Sequence, residues 1–312
     1  RSIWVTGVQT CALPISQRRG GRGKAATAMK EEDFVDKLFV ANTHDTLLCF
    51  SSVGKMYWLK VYQLPQASRG SRGKPIVNLL PLQEEERITA VLPIHEFEEN
   101  KFVFMTTAQG TVKKTSLEAF SRPRQAGIIA IELEAGDRLV GVDITDGHRQ
   151  IILCSSGGKA IRFDENDVRP MGRTAAGVRG VRLPVSEEVI SLIIVDEQGM
   201  VLTASQNGYG KRTPVEDFPI HGRGGQGVIA LQISERNGQM VGALLVKPDD
   251  EIMLISSSGT LVRTPVGEIS IQGRNTQGVR LIRLDEGDRL VGLERILPEA
   301  EAEENGGEPA PE

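Results

Sequence analysis

The sequence predicts an all-β fold: a propeller-like ring of six blades, with about four short strands in each repeat of roughly 50 residues. Three observations predict it. The first is the spacing R-x-x-x-G, which runs from Arg19 to Gly23 and returns as RGSRG ending at Gly73, RTAAG at Gly177, RGGQG at Gly227 and RNTQG at Gly278. A variant, PRQAG, ends at Gly127, with Arg122 and Arg124 flanking its proline, so the six glycines are 50, 54, 50, 50 and 51 residues apart. The second is a set of turn glycines that keeps step with the first: Gly54, Gly110, Gly158, Gly208 and Gly259. The third is the near absence of helical periodicity in the segments between them.

Each element follows from its local sequence. Before each turn glycine stands a short apolar run (LLCF, FVFM, IILC, MVLT, IMLI), and after it a second short segment, which together read as a β-hairpin. After each R-x-x-x-G comes a further expected strand: VNLLPL, IIAIEL, VRGVRL, VIALQI, VRLIRL. A charged turn then leads to ITAVLPI, LVGVDI, VISLIIV, MVGALLV or LVGLERI, the fourth strand of the repeat. Repeats of four strands close naturally into a ring, which leaves few free sheet edges.

Six boxes accompany only five hairpins. In four repeats the hairpin glycine precedes its box glycine by 19 residues, and in the fifth by 17. The partner of Gly23 would fall near Trp4, so the first blade is expected to be incomplete. VTGVQTCALPIS at 5–16 resembles the translation of a sequencing-adapter oligonucleotide, and residues 1–16 are expected to be a non-native leader. The repeats then occupy 17–297, and 298–312 form an acidic tail expected to be disordered.

Charge sharpens the picture. The chain carries −4, yet the last fifteen residues hold six glutamates and no base, leaving +2 for the rest. The first box, QRRGGRGK at 17–24, places four cations among three glycines with no acid nearby. Such a loop suits a polyanion: glycines allow close backbone approach, exposed N–H groups meet phosphate, and guanidinium forks clamp its oxygens. Repeated once per blade, the boxes would lie on one edge of the ring and form a curved, sequence-tolerant track for a phosphate backbone. Bases four residues after the hairpin glycines, Lys114, Arg162, Arg212 and Arg263, would either widen that track or be ordinary solvated strand ends. Bending 20–30 bp of duplex by 40–90° costs on the order of 1–6 kcal/mol, which several phosphate contacts per blade offset.

The repeats resemble the C-terminal, DNA-wrapping domain of the A protein of bacterial DNA gyrase, and QRRGGRG at 17–23 matches that family's heptapeptide box. The resemblance spans 17 to about 297. It implies a six-bladed β-pinwheel in which neighbouring blades exchange strands, and the wrapping of double-stranded DNA with one handedness to direct strand passage and negative supercoiling. It places Gln17, Arg18, Arg19, Gly20, Gly21, Arg22 and Gly23 in the DNA-binding box. Lys24 extends it, and Arg69, Arg72, Lys74, Arg122, Arg124, Arg173, Arg223 and Arg274 belong to the degenerate copies. It further implies partners, namely the rest of gyrase A and the gyrase B protein in an A2B2 assembly, and a bacterial cytoplasmic, nucleoid-associated setting. ATP and magnesium would belong to other parts of that assembly. The corresponding domain of topoisomerase IV is the nearest alternative, but its box is degenerate and its blades often fewer. A propeller that binds protein partners would explain the repeat without the cationic loops.

Other chemistry finds no support in the sequence. There is no GxxxxGK[ST] phosphate loop, and Tyr57, Tyr62 and Tyr209 lack the arginine-flanked setting of the family's cleavage tyrosine. Asp143 and Asp196 read as turn and strand-end residues, and the four histidines are scattered; His221, beside RGGQG, reads as a loop residue. The three cysteines make no CxxC pair, which fits a reduced compartment, and no apolar run reaches the length of a membrane span. The expectation is a chain that needs no cofactor of its own and catalyses nothing by itself.

Overall fold

A computed structural model describes residues 41–64, 76–195 and 199–296. In chain order its strands are β1 (Thr46–Ser51), β2 (Lys55–Lys60), β3 (Ile88–Ile94), β4 (Phe102–Thr107), β5 (Thr111–Ser116), β6 (Ile128–Ile129) and β7 (Leu139–Thr145). They continue as β8 (Gln150–Ser155), β9 (Lys159–Asp164), β10 (Val178–Arg179), β11 (Val189–Val195), β12 (Met200–Ser205) and β13 (Tyr209–Pro214). The last are β14 (Val228–Ile229), β15 (Met240–Val246), β16 (Glu251–Ser256), β17 (Leu261–Pro265), β18 (Val279–Arg280) and β19 (Leu290–Ile296).

The apolar runs before the turn glycines form β1, β4, β8, β12 and β16, buried along almost their whole length. They do not alternate apolar and polar because each sheet is sandwiched between neighbouring sheets and has no solvent face there. The core is accordingly shared between blades. Leu48, Phe50 and Met56 of the first sheet pack with Val103, Met105 and Phe120 of the next repeat.

Five sheets are described, in the strand orders β3-β1-β2-β6, β7-β4-β5-β10, β11-β8-β9-β14, β15-β12-β13-β18 and β19-β16-β17. The innermost strands β3, β7, β11, β15 and β19 pack against one another in succession. The outermost strand comes from the box of the following repeat: Ile128 pairs with Met56, Val178 with Val112, Val228 with Ala160 and Val279 with Gly210. Neighbouring blades therefore exchange strands, as the resemblance implied. Each four-stranded sheet also has one register shift at the same place, such as Phe50/Ser51 and Thr106/Thr107.

Two expectations are corrected. Five blades are described rather than six; the first box and the incomplete first blade lie outside the described residues, as do the leader and the acidic tail. The strand expected after each box is only two residues long. Its continuation turns inward instead: Ala130, Gly180, Ala230 and Leu281 donate their N–H groups to the carbonyls of Gly54, Gly110, Gly158 and Gly208. In VNLLPL there is no strand, and Ile76–Asn78 forms a 3-10 turn.

Candidate nucleic-acid interface

The two repeating glycines meet in space, though not within one repeat. Each box strand docks on the hairpin of the blade before it, so the four described boxes occupy equivalent outer edges. The box glycine is required on two counts, clearest at Gly177 and Gly278. Both have left-handed backbone (φ 99° and 78°), and a Cβ would stand 2.5 Å from the Val112 carbonyl oxygen or 2.6 Å from that of Gly210.

Of the box cations, Arg122, Arg124 and Arg223 are exposed and Arg173 and Arg274 half-buried. Three reach back along the rim to the preceding box strand. Arg173 Nη1 donates to the Ile129 carbonyl at 3.3 Å, Arg223 Nη1 to the Arg179 carbonyl at 3.0 Å and Arg274 Nη1 to the Ile229 carbonyl at 3.1 Å. Arg223 Nε also donates to the Asp167 carbonyl at 2.9 Å. A guanidinium has five N–H donors, so these arginines can bridge adjacent blades and still present donors to solvent. None forms an ion pair among the described residues. Gln17, Arg18, Arg19, Gly20, Gly21, Arg22, Gly23, Lys24, Arg69, Arg72 and Lys74 lie outside the described residues.

The bases four residues after the hairpin glycines do something else, and the widened track is corrected. They are neither solvated strand ends nor free cations. Arg212 is buried, its Nε donating to the Ile269 carbonyl at 2.7 Å and its Nη2 to that of Gly267 at 3.2 Å. Arg162 Nη1 donates to the Val215 and Phe218 carbonyls at 2.7 and 2.9 Å. Lys114, also buried, donates to the Glu165 carbonyl at 3.1 Å and pairs with its carboxylate at 3.5 Å. All three fasten a blade to the short 3-10 turn of the next one: Glu165–Asp167, Val215–Asp217 or Val266–Glu268. In the first sheet the same position is Trp58, whose indole N–H donates to the Phe120 carbonyl at 2.8 Å. What the position shares is a long N–H donor; among the described residues positive charge adds an ion pair only at Lys114 and Arg263. Arg263, in the last described sheet, pairs with Glu251 of its own hairpin.

Sequence reasoning missed the groups beneath the boxes. Lys113 and Lys211 are fully buried. Lys113 Nζ donates to the carbonyls of Ala130 (2.7 Å) and Arg173, and Lys211 Nζ to those of Gly273 (2.5 Å) and Arg274. Burial, with the neighbouring Arg173 or Arg274 charge, lowers both ammonium groups to about 8. Lys211 is thus held by two carbonyls of one box loop, and Lys113 by one carbonyl of the box loop above it and one that follows the preceding box strand. Nothing in a lone lysine within a strand signals this; the only trace is its place one residue before the fastener. Tyr209 was missed too. Arg236 and Arg280 stack on its ring at 4.7 and 5.5 Å, and Arg280 Nη2 donates to its hydroxyl at 2.9 Å, so hydrogen bonds from the two arginines lower its pKa.

His221 is exposed, and its backbone N–H bonds the Arg162 carbonyl at 2.9 Å. Among the described residues no group of three His, Cys, Asp or Glu is placed to hold a metal, and no helix is long and apolar enough to cross a membrane.

Comparison with known proteins places this architecture. The family model for the DNA gyrase C-terminal domain, beta-propeller, matches six segments: 12–42, 45–95, 101–146, 149–196, 199–247 and 250–296. The DNA gyrase A protein of Salmonella typhimurium is 59% identical over 289 residues, covering 93% of this chain and 33% of that protein. The DNA gyrase A protein of Pseudomonas aeruginosa is 49% identical over 356 residues, covering 97% and 39%. This chain therefore spans about a third of the length of the curated relatives it matches. A solved DNA gyrase A C-terminal domain superposes with a TM-score of 0.80 at 28% identity, covering 90% of this chain and 92% of that one. A topoisomerase IV C-terminal domain gives 0.74 at 28% identity, covering 81% and 80%. With six matched repeats and relatives above half identity named as gyrase, the chain belongs to the DNA gyrase C-terminal domain family of β-propellers.

Proposed function

We propose that this chain is a non-catalytic module that binds duplex DNA and wraps it around its outer edge, in the service of a DNA gyrase. The observation that carries the reading is the rim itself. Once per blade, an arginine-bearing loop stands on the outermost strand, with no carboxylate paired to its arginines among the described residues. These groups suit phosphate oxygens and offer no array for reading base edges, so binding is sequence-tolerant. The first box, richest in cations, joins the same track in this reading, with Lys74, Arg69 and Arg72 on the next copy.

In the larger protein, wrapping would present the adjoining segment for strand passage. DNA cleavage and ATP hydrolysis, with its magnesium, would belong to the rest of gyrase A and to gyrase B, in an A2B2 assembly in the bacterial cytoplasm. The test is a gel shift of a roughly 150 bp duplex across a salt series. Each phosphate contact contributes a log–log slope of about −0.9, so slopes steeper than about −4 are expected. Binding that is absent, or indifferent to salt, would leave a propeller for protein partners as the better reading.

A further inference from the structure

Two of the box loops stand on a buried amine. Three residues beyond the hairpin glycines come Tyr57, Lys113, Ile161 and Lys211, each beneath the box loop that docks on its hairpin. Over both lysines a single arginine serves the two sides of the loop. Arg173 turns its carbonyl onto Lys113 and its guanidinium onto the rim, and Arg274 does the same over Lys211. A trans peptide directs its C=O and N–H oppositely, so carbonyls drawn onto the amines send the N–H groups of Thr174, Arg274 and Asn275 away from them. Thr174 and Asn275 are exposed, and none of these three N–H groups has an acceptor among the described residues. The outer side of each loop therefore offers a phosphate both N–H donors and a guanidinium.

What happens on that outer side reaches the amine beneath. Burial, and after it the Arg173 charge, hold Lys113 down at about 8; burial and the Arg274 charge do the same to Lys211. Glu132 acts oppositely on Lys113, and Asp217, in the 3-10 turn Val215–Asp217, acts oppositely on Lys211. Directly across the hairpins stand Met105 and Thr203, which carry no charge. An anion seated on Arg173 or Arg274 offsets the repulsion and adds an attraction of its own, so it tightens the amine's hold on its proton. Tyr57 and Ile161 give the β6 and β14 boxes no such link.

Resting on the DNA-binding reading above, we propose that Lys113 and Lys211 are positioning residues that couple phosphate binding at their box loops to protonation, so that duplex binding draws protons onto the two buried amines. They shape the loops through carbonyls and touch no phosphate themselves. The coupling also gives the rim a pH dependence that its arginines lack, since guanidinium groups stay charged throughout.

Calorimetric titration with a roughly 150 bp duplex at about pH 8.5, in buffers of differing ionisation enthalpy, counts the protons directly. A rise of about one unit on binding moves roughly half a proton per amine at that pH, so uptake of about one proton per chain is expected. Affinity should correspondingly fall at least about tenfold between pH 7.5 and 9.5. K113M/K211M should abolish the uptake, whereas Arg223→Gln, in the box over Ile161, should weaken binding yet leave the uptake in place. Should the double variant not fold, K113M and K211M singly take its place, each halving the proton count. Binding without uptake, or uptake that persists in folded K113M/K211M, would overturn the coupling while leaving DNA binding intact. No binding at any pH would overturn the DNA reading itself.

Discussion

A cation in this chain means different things at positions a few residues apart, and burial decides which. Arg212 delivers its donors to two carbonyls inside the next blade, whereas Arg223 stands exposed on the rim. Replacing Arg212 with Met should leave buried carbonyls unsatisfied and cost about 1–3 kcal/mol in urea denaturation, with the DNA salt slope unchanged. Arg223→Gln should do the reverse, barely moving stability while lowering the slope by about 1. Lys114→Met should be the costlier change, about 3–5 kcal/mol, because it strands the fully buried carboxylate of Glu165.

The two lysines beneath the boxes predict a pH dependence with a definite sign. Held at about 8 in the folded chain against 10.5 ordinarily, they lose protons from the native state first. Stability should therefore rise with pH from about 8 toward 10.5. The charges facing Lys113 are Arg173 and Glu132, and those facing Lys211 are Arg274 and Asp217. Above pH 9 the buried Cys49 and Cys154 thiols, pushed up to about 12, act oppositely, because the unfolded chain ionises them first. The thermal midpoint should thus climb between about pH 7.5 and 9, and a K113M/K211M variant should lose that climb.

At the scale of elements, the hairpins and inner strands were readable because each is a short apolar run closed by a turn glycine. The box strands were only partly readable. IIAIEL has the residue types of a six-residue strand, yet only Ile128 and Ile129 pair, since Ala130 bends to the Gly54 carbonyl. That bond joins residues 76 apart in sequence, where no local pattern points. The box glycine is the hinge of the arrangement. Gly177→Ala would force a left-handed φ on a residue with a Cβ and push that Cβ against the Val112 carbonyl. A loss of at least about 1–3 kcal/mol is expected by denaturation. The fasteners were legible as a spacing but misread as charge, and Trp58 corrects the misreading, because an indole with no charge holds the same place.

At the scale of the molecule, the repeat count sets the number of blades, and strand exchange binds each blade to the next. Cooperative unfolding follows from cores shared across blade boundaries. The acidic tail, outside the described residues, belongs to this scale through its charge. On the DNA-binding reading, six carboxylates on the same chain would compete with DNA for the rim, so deleting 298–312 should tighten binding at low salt and matter little at high salt, by gel shift. Unchanged affinity would remove the tail from the account.

By itself the sequence determined the fold class, the roughly 50-residue period, the hairpins and the in-phase arginine loops, because short apolar runs, turn glycines and repeated spacings are local signals. Only the tertiary structure decided which blade each box joins and which cations face solvent. Those depend on contacts between residues some 44 to 76 positions apart in sequence. Burial of a charge, the property that separates Lys211 from Arg280, arises only once blades pack against each other.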